Sequence, residues 1–221
     1  MKHTAAQPML ALLRRLTRQP EKSDAQCDAD MHWLLCWLAV PLQQPGTKLT
    51  AAVAIQGGAG SGKSLLAQVM VDIYEDHGAI VGSEEAHGVF NEWLSNRRFV
   101  AVEAEHSHRS LIAKREQIKA WITSPEITIN RKYHPALKEE NKANFIFLSG
   151  SAVQWELVDT QRRFFVIEPE SQEAQPAFFR EIHHWIDCEG GAEAFRQYLL
   201  EYPVTDFSFG AQRTRQKGGA A

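Results

Sequence analysis

Gly57-Gly58-Ala59-Gly60-Ser61-Gly62-Lys63-Ser64 fits the spacing GxxxxGK[ST]. Glycines at these positions let a loop wrap its backbone N–H groups around phosphate oxygens, in conformations a Cβ would forbid. A lysine at the seventh position reaches β- and γ-phosphates, and a hydroxyl at the eighth can ligate Mg2+. The residues Gly57 to Ser64 are therefore expected to bind ATP, with Lys63 catalytic and Ser64 on the metal. A chance match in a glycine-rich turn is the bland alternative. The context argues against it: the apolar run Thr50 to Gln56 leads into Gly57, and Leu65, Val69 and Ile73 follow at helical intervals. A helix opening near Gly62 would add its N-terminal dipole beneath the anion.

A phosphate cradle needs a carboxylate at the end of a neighbouring strand, to hold Mg2+ and orient the attacking water. Phe99-Val100-Ala101-Val102-Glu103-Ala104-Glu105 is an apolar strand ending in two acids. Residues two apart on an extended chain share a face, so Glu103 and Glu105 could divide metal and water between them. Glu103 is the candidate metal ligand, and the division of roles stays open. The competing reading is a strand that ends in solvated glutamates.

These residues need an α/β scaffold. Met9, Leu12, Leu13 and Leu16 fall at helical spacing, which predicts an amphipathic helix; Lys2, Arg14, Arg15 and Arg18 also give the first twenty residues a transit-peptide-like charge. Gln19 to Asp30 reads as a loop, His32 to Val40 as a buried helix closed by Pro41, and Gln43 to Gly46 as a turn. The strand Thr50–Gln56 and the helix Ser64–His77, stopped by Gly78, frame the glycines. Beyond them come a strand Ala79–Val81, a helix Glu84–Ser95, a strand Phe99–Val102 and a helix Ser110–Thr123. Ile127 and Ile129 alternate with Thr128 and Asn130 in a strand from Glu126; a charged turn at Pro135 and a second run, Asn144 to Leu148, complete a hairpin. A strand Phe164–Ile167 and helices Pro176–Trp185 and Ala192–Leu200 follow. Strands alternating with helices predict a mostly parallel central sheet flanked by helices. The expected organisation is an N-terminal helical segment 1–48, an ATPase core 49–170, C-terminal helices 171–206 and a disordered tail 207–221.

The 221 residues carry a net charge of −3 and 44% apolar residues, so no bulk charge draws the chain to nucleic acid and any DNA contact needs a local basic patch. Cys27, Cys36 and Cys188 form no CxxC pair and read as buried thiols of a reducing cytoplasm. No apolar run is long enough to span a membrane. The six tryptophans sit mostly in apolar helical contexts and read as core. His183 and His184 lack a third metal ligand nearby, and His106 and His108 follow the acidic strand without a required role.

In order and spacing these segments resemble the superfamily 3 helicases, specifically the helicase half of phage and plasmid primase-helicases. The resemblance runs from about Trp37 to Thr205. It rests on Trp37-Leu38-Ala39, Gln44-Pro45-Gly46-Thr47-Lys48, Phe90-Asn91-Glu92-Trp93-Leu94 and Ile118-Lys119-Ala120-Trp121-Ile122-Thr123 leading into Ile127 to Tyr133. Asn144 to Ser149 is similar to the family's third motif, and Gln161-Arg162-Arg163-Phe164 to its arginine motif. The resemblance implies a P-loop NTPase core of AAA+-like type with an inserted β-hairpin. It implies a homo-oligomeric ring, a hexamer, hydrolysing ATP between subunits while moving on DNA in replication in a bacterial host. Arg162 or Arg163 would then act in trans as an arginine finger, or else make ordinary salt bridges.

The hairpin gathers Arg131, Lys132, His134, Lys138 and Lys142 around Tyr133, a pattern suited to a single-stranded phosphate backbone; Glu139 and Glu140 dilute it. Two departures stand out. Gly150 follows Ser149 where the family's third motif ends in asparagine, so Ser149 or Ser151 substitutes or hydrolysis is slow. No primase or polymerase segment precedes the motor, which implies either a stand-alone helicase, with a separate primase or polymerase as partner, or a piece of a longer chain. The alternative to a motor is a nucleotide-binding scaffold with weakened hydrolysis that docks on DNA; a small-molecule kinase lacks a visible acceptor pocket.

Overall fold

The computed structural model describes residues 5–103, 114–151, 153, 163–170, 176–205 and 207. Its centre is a five-stranded, wholly parallel sheet in the order β2-β3-β6-β1-β7. The strands are β1 (Ala52–Gln56), β2 (Gly78–Val81), β3 (Phe99–Glu103), β6 (Asn144–Ser149) and β7 (Phe164–Ile167). A separate antiparallel pair joins β4 (Glu126–Ile129) to β5 (Leu137–Glu140).

The central strands read as continuous apolar runs because both faces of the sheet are covered. Val53, Ile55, Ala101, Ile146, Leu148, Phe165 and Ile167 face one way. They pack against α1 (Gln7–Thr17), α2 (Asp24–Gln43), α3 (Lys63–Tyr74), α6 (Pro176–Cys188) and α7 (Gly191–Glu201). Ala52, Ala54, Val100, Val102, Phe145 and Phe147 face the other way, onto Trp93, Trp121, Ile127 and Ile129. The short α4 (Ser83–His87) and α5 (Arg115–Thr123) lie on this second side. Trp33, Trp37, Trp93, Trp121 and Trp185 are buried, as expected of core residues; Trp155 lies outside the described residues.

Several expectations need correction. The polar stretch Gln19–Asp30 is helical from Asp24, because Ser23 and Gln26 form a reciprocal capping box that satisfies the first-turn N–H groups. Pro41 does not close α2, which runs to Gln43: in the last turn a proline removes one backbone bond without stopping the helix. Glu84–Ser95 is not one helix but α4 and a 3-10 turn, Glu92–Leu94, parted at Gly88, whose backbone is extended. Asn144–Ser149 is not the second arm of the hairpin. That arm is β5, which pairs Thr128 with Lys138 and Ile129 with Leu137. Every residue of β6 is buried, and it lies between β3 and β1. Among the cysteines only Cys36 is buried; Cys27 is half-buried and Cys188 exposed. Among the described residues no helix is long and apolar enough to cross a membrane.

Candidate functional site

β1 delivers the chain at the C-terminal edge of the sheet, where Gly57 to Gly62 form a loop and α3 begins at Lys63. Gly60 and Gly62 have φ of +74° and +97°, a region that strains any residue with a Cβ. Gly62 is also pressed from outside: an added Cβ would lie 2.4 Å from Leu12 of α1. Gly57 N–H donates to Ser149 O at 3.0 Å, which ties the loop to the end of β6.

The Lys63 ammonium turns inward, donating to Gly57 O at 2.5 Å, Gly58 O at 2.9 Å and Ser61 Oγ at 2.9 Å. It is 8% exposed, and burial lowers its pKa below the usual lysine value. Gly62 offers α3 no side-chain cap, and no acid occupies the first turn. A buried ammonium held only by neutral acceptors, next to helix N–H groups with no side-chain partner, is an arrangement that suits an anion. The residues present therefore fit a phosphate-bearing ligand. Ser64, exposed at the start of α3, stands where its hydroxyl could reach a metal bound to that ligand.

Glu103 closes β3, half-buried, in register with Leu148, which is itself in register with Ile55. Two strand spacings put it roughly 10 Å from the end of β1, on the same edge as the glycine loop. Glu105, Arg162, His106 and His108 lie outside the described residues. Arg163 precedes β7 beside Ala52, whose N–H donates to Arg163 O at 2.7 Å. It therefore stands at the N-terminal edge of the sheet, roughly 15 Å along β1 from the glycine loop.

The hairpin carries Arg131, Lys132 and His134 in its turn and Lys138 on β5, all exposed. Tyr133 is 90% exposed at φ +63°, with Lys132 Nζ 5.1 Å from its ring centroid. The acids that dilute the charge in the sequence are occupied elsewhere. Glu139 accepts from Ser95 Oγ at 2.6 Å and Asn96 N–H at 3.1 Å, and Glu140 pairs with Lys142 at 2.7 Å. Glu140 thereby offsets Lys142, while the turn itself carries Arg131, Lys132 and His134 with no acid among them.

The bond between Gln56 and Glu168, near the loop, escaped the sequence reading. Gln56, 6% exposed, donates through Nε2 to Glu168 Oε1 and accepts the Val153 N–H at 2.8 Å. It ties the ends of β1 and β7 to the chain leaving β6, one residue before the glycines. A buried amide ending an apolar run is the signal that could have found it. The Ser149 hydroxyl donates to Ser151 O at 2.7 Å, and Gly150 adds no side chain.

Residues 55–163 match the family described as "Family of unknown function (DUF5906)". Over 172 residues the chain is 28% identical to a DNA primase-polymerase of Nitratiruptor phage NrS-1, covering 76% of this chain and 24% of that protein. The chain thus spans about a quarter of the curated relative's length. The apo structure of the NrS-1 C-terminal region superposes with a TM-score of 0.73 at 27% identity, covering 90% of this chain and 46% of that one. The parallel sheet flanked by helices is the architecture of that region. A structure of JCV helicase bound to a thiazolopyridine compound matches at a TM-score of 0.50 and 13% identity, over 92% of this chain and 56% of that one, a likeness of fold alone.

Proposed function

We propose that this chain is an ATP-hydrolysing P-loop motor of superfamily 3 type, acting on single-stranded DNA in phage- or plasmid-type replication. The observation that carries the reading is the buried Lys63 ammonium at the centre of a glycine loop that opens an uncapped helix. Relatedness to a phage primase-polymerase supports the replication setting.

In this reading Lys63 exchanges its three neutral acceptors for β- and γ-phosphate oxygens of ATP, and the loop N–H groups hold the same phosphates. Ser64 and Glu103 would hold Mg2+, which when bound offsets charge on those oxygens. Glu103 or Glu105 orients the attacking water. Arg163 is too far along β1 to reach its own loop, so an arginine finger at Arg162 or Arg163 would serve the next subunit of a ring, taken as a hexamer. The hairpin, with Arg131, Lys132, His134 and Lys138 around Tyr133, grips the strand by phosphate contact and stacking. A separate primase or polymerase would complete the replication apparatus.

The test is steady-state ATP hydrolysis on size-fractionated protein, with and without single-stranded DNA at low salt. The reading expects stimulation by DNA and loss of turnover in Lys63→Ala. Hydrolysis indifferent to DNA would leave a generic P-loop phosphotransferase. A second reading has a specific motive: Gly150 stands where an asparagine is expected, and the Ser149 hydroxyl is engaged by Ser151 O. It is a nucleotide-dependent scaffold that docks on DNA and turns over slowly. Nucleotide-dependent assembly without robust turnover would favour it.

A further inference from the structure

One side chain holds both ends of the stretch that carries the arginine motif. Gln56, the last residue of β1, is 6% exposed in a strand whose other members, Ala52 to Ile55, are apolar and buried. Its Oε1 accepts the Val153 N–H at 2.8 Å, shortly after β6, and its Nε2 donates to Glu168 Oε1, directly after β7. Those partners fix which way the amide points, because a carboxylate only accepts and an N–H only donates. A leucine here would leave both partners unsatisfied, and a glutamate would set a second carboxylate against Glu168. The position is thus chemically specific in a strand that elsewhere asks only for apolar bulk.

Arg163 leads β7 at the end opposite Glu168. β7 stands at the edge of the sheet, paired with β1 alone among the described strands. Its ladder runs from the Ala52 N–H bond to Arg163 O up to the pairing of Ile55 with Ile167, and Gln56 and Glu168 add the next rung through side chains. Four extended residues have almost no slack, so a shift of Glu168 along β1 is passed to Arg163. The other neighbour of Gln56 is the glycine loop. Gly57 N–H donates to Ser149 O at 3.0 Å, and Gly57 O accepts from Lys63 Nζ at 2.5 Å. Pro169, next to Glu168, would lie 3.3 Å from a Cβ at Gly57. When the Lys63 ammonium leaves Gly57 O for a phosphate, the carbonyl whose bonding changes belongs to the residue beside Gln56.

We propose that Gln56 is a positioning residue that couples its own glycine loop to the β7 arginine serving the neighbouring subunit, an inference that rests on the ring-motor reading above. Gln56 touches neither nucleotide nor reacting atoms. Its two bonds hold Val153 and Glu168 to the loop, and with them the strand that Arg163 leads, so the state of one site sets where the arginine stands at the next.

The test is steady-state ATP hydrolysis and calorimetric ATP affinity, in single variants and in mixed rings. Gln56→Glu and Glu168→Ala each remove the bond between the two side chains. Each should lower kcat about tenfold or more and leave ATP affinity within about twofold, as a misplaced arginine implies. Glu168 is exposed, so Glu168→Ala tests the bond even where a buried glutamate at position 56 prevents folding. The exchange Gln56→Glu/Glu168→Gln can remake both bonds, with donor and acceptor reversed between the two side chains, and should restore most of kcat. Mixed rings then separate the two sides. Lys63→Ala subunits keep the arginines and Arg162→Ala/Arg163→Ala subunits keep the loop, so mixing them should recover turnover at shared sites. Adding Glu168→Ala to the Lys63→Ala subunit should cut that recovery about tenfold; adding it to the subunit lacking both arginines should spare it. Equal loss from both placements, loss from neither, or an exchange that restores nothing would overturn the coupling and leave the motor standing. A wild type without turnover, or parents that recover none on mixing, would overturn the ring motor and this inference with it.

Discussion

Asn91 and Asn130 hold each other by two bonds: Asn91 N–H donates to Asn130 O at 3.1 Å, and Asn130 N–H donates to Asn91 Oδ1 at 2.6 Å. Asn91 Nδ2 adds a third bond, to Thr128 O at 2.9 Å. One buried side chain thus fastens the outgoing arm of the hairpin to the chain that follows α4. A two-stranded hairpin is marginal by itself, so its position depends on such anchors and on the buried Ile127 and Ile129.

Replacing Asn91 with alanine leaves the Asn130 N–H and the Thr128 carbonyl without this partner. The expected cost is about 1–3 kcal/mol in urea unfolding. Amide exchange should quicken across Glu126–Ile129 and Leu137–Glu140 while β1 and β6 keep their protection. Uniform loss of protection across the central sheet would show that Asn91 supports the whole domain and not the hairpin.

The route from β1 through the glycines into α3 was legible because three local signals agree: an apolar run, a glycine spacing and an amphipathic periodicity. β5 was not legible. Leu-Lys-Glu-Glu has one apolar residue, and what holds it is the backbone ladder to β4 and the Glu139 bonds to Ser95 and Asn96, which lie 44 and 43 positions away. The buried run Asn144–Ser149 therefore looked like the missing arm. The Gln56–Glu168 bond spans 112 positions, beyond any window a pattern can read.

The glycines of the loop should separate by cause. Gly60 has φ +74° and open space around it, so Gly60→Ala should cost about 1–3 kcal/mol of backbone strain alone. Gly62 has φ +97° and Leu12 at 2.4 Å, so Gly62→Ala should cost clearly more. In a double-mutant cycle Leu12→Ala should relieve the contact but not the strain, so the pair should be less unstable than the sum of the singles. Additive costs in chemical denaturation would mean that α1 does not press on the loop.

Tyr133 at the hairpin tip, 90% exposed, touches little of the fold. Tyr133→Ala should leave the melting temperature within a degree or two, since exposed changes away from special contacts are near neutral. In the proposed function the ring stacks on a base, so affinity for single-stranded DNA should fall by about 1–3 kcal/mol. Arg131→Ala and Lys138→Ala should instead flatten the salt dependence of binding, each by about 0.7 in the log–log slope. Unchanged DNA affinity and salt slope in all three variants would remove the hairpin from the DNA path.

Lys48 offers a test that involves no ligand. Its ammonium donates to Trp121 O at 2.8 Å and to Ala143 O, and lies 5.1 Å from the Phe145 ring centroid. Burial lowers its pKa from 10.5 to about 7. Between those values the unfolded chain holds a proton that the folded chain releases, so folding is favoured as pH rises across the window. Below about pH 7 both states are protonated and the dependence from Lys48 ends. Raising the pH from about 7.5 to 9.5 should therefore add on the order of 2 kcal/mol from this group. Lys48→Met removes the titration but leaves two carbonyls without a donor, so its stability at any single pH does not isolate the effect. The slope of unfolding free energy against pH does: it should be shallower in Lys48→Met than in the wild type across this range. Parallel slopes would mean that the bonds to Trp121 and Ala143 hold the ammonium charged in the folded protein.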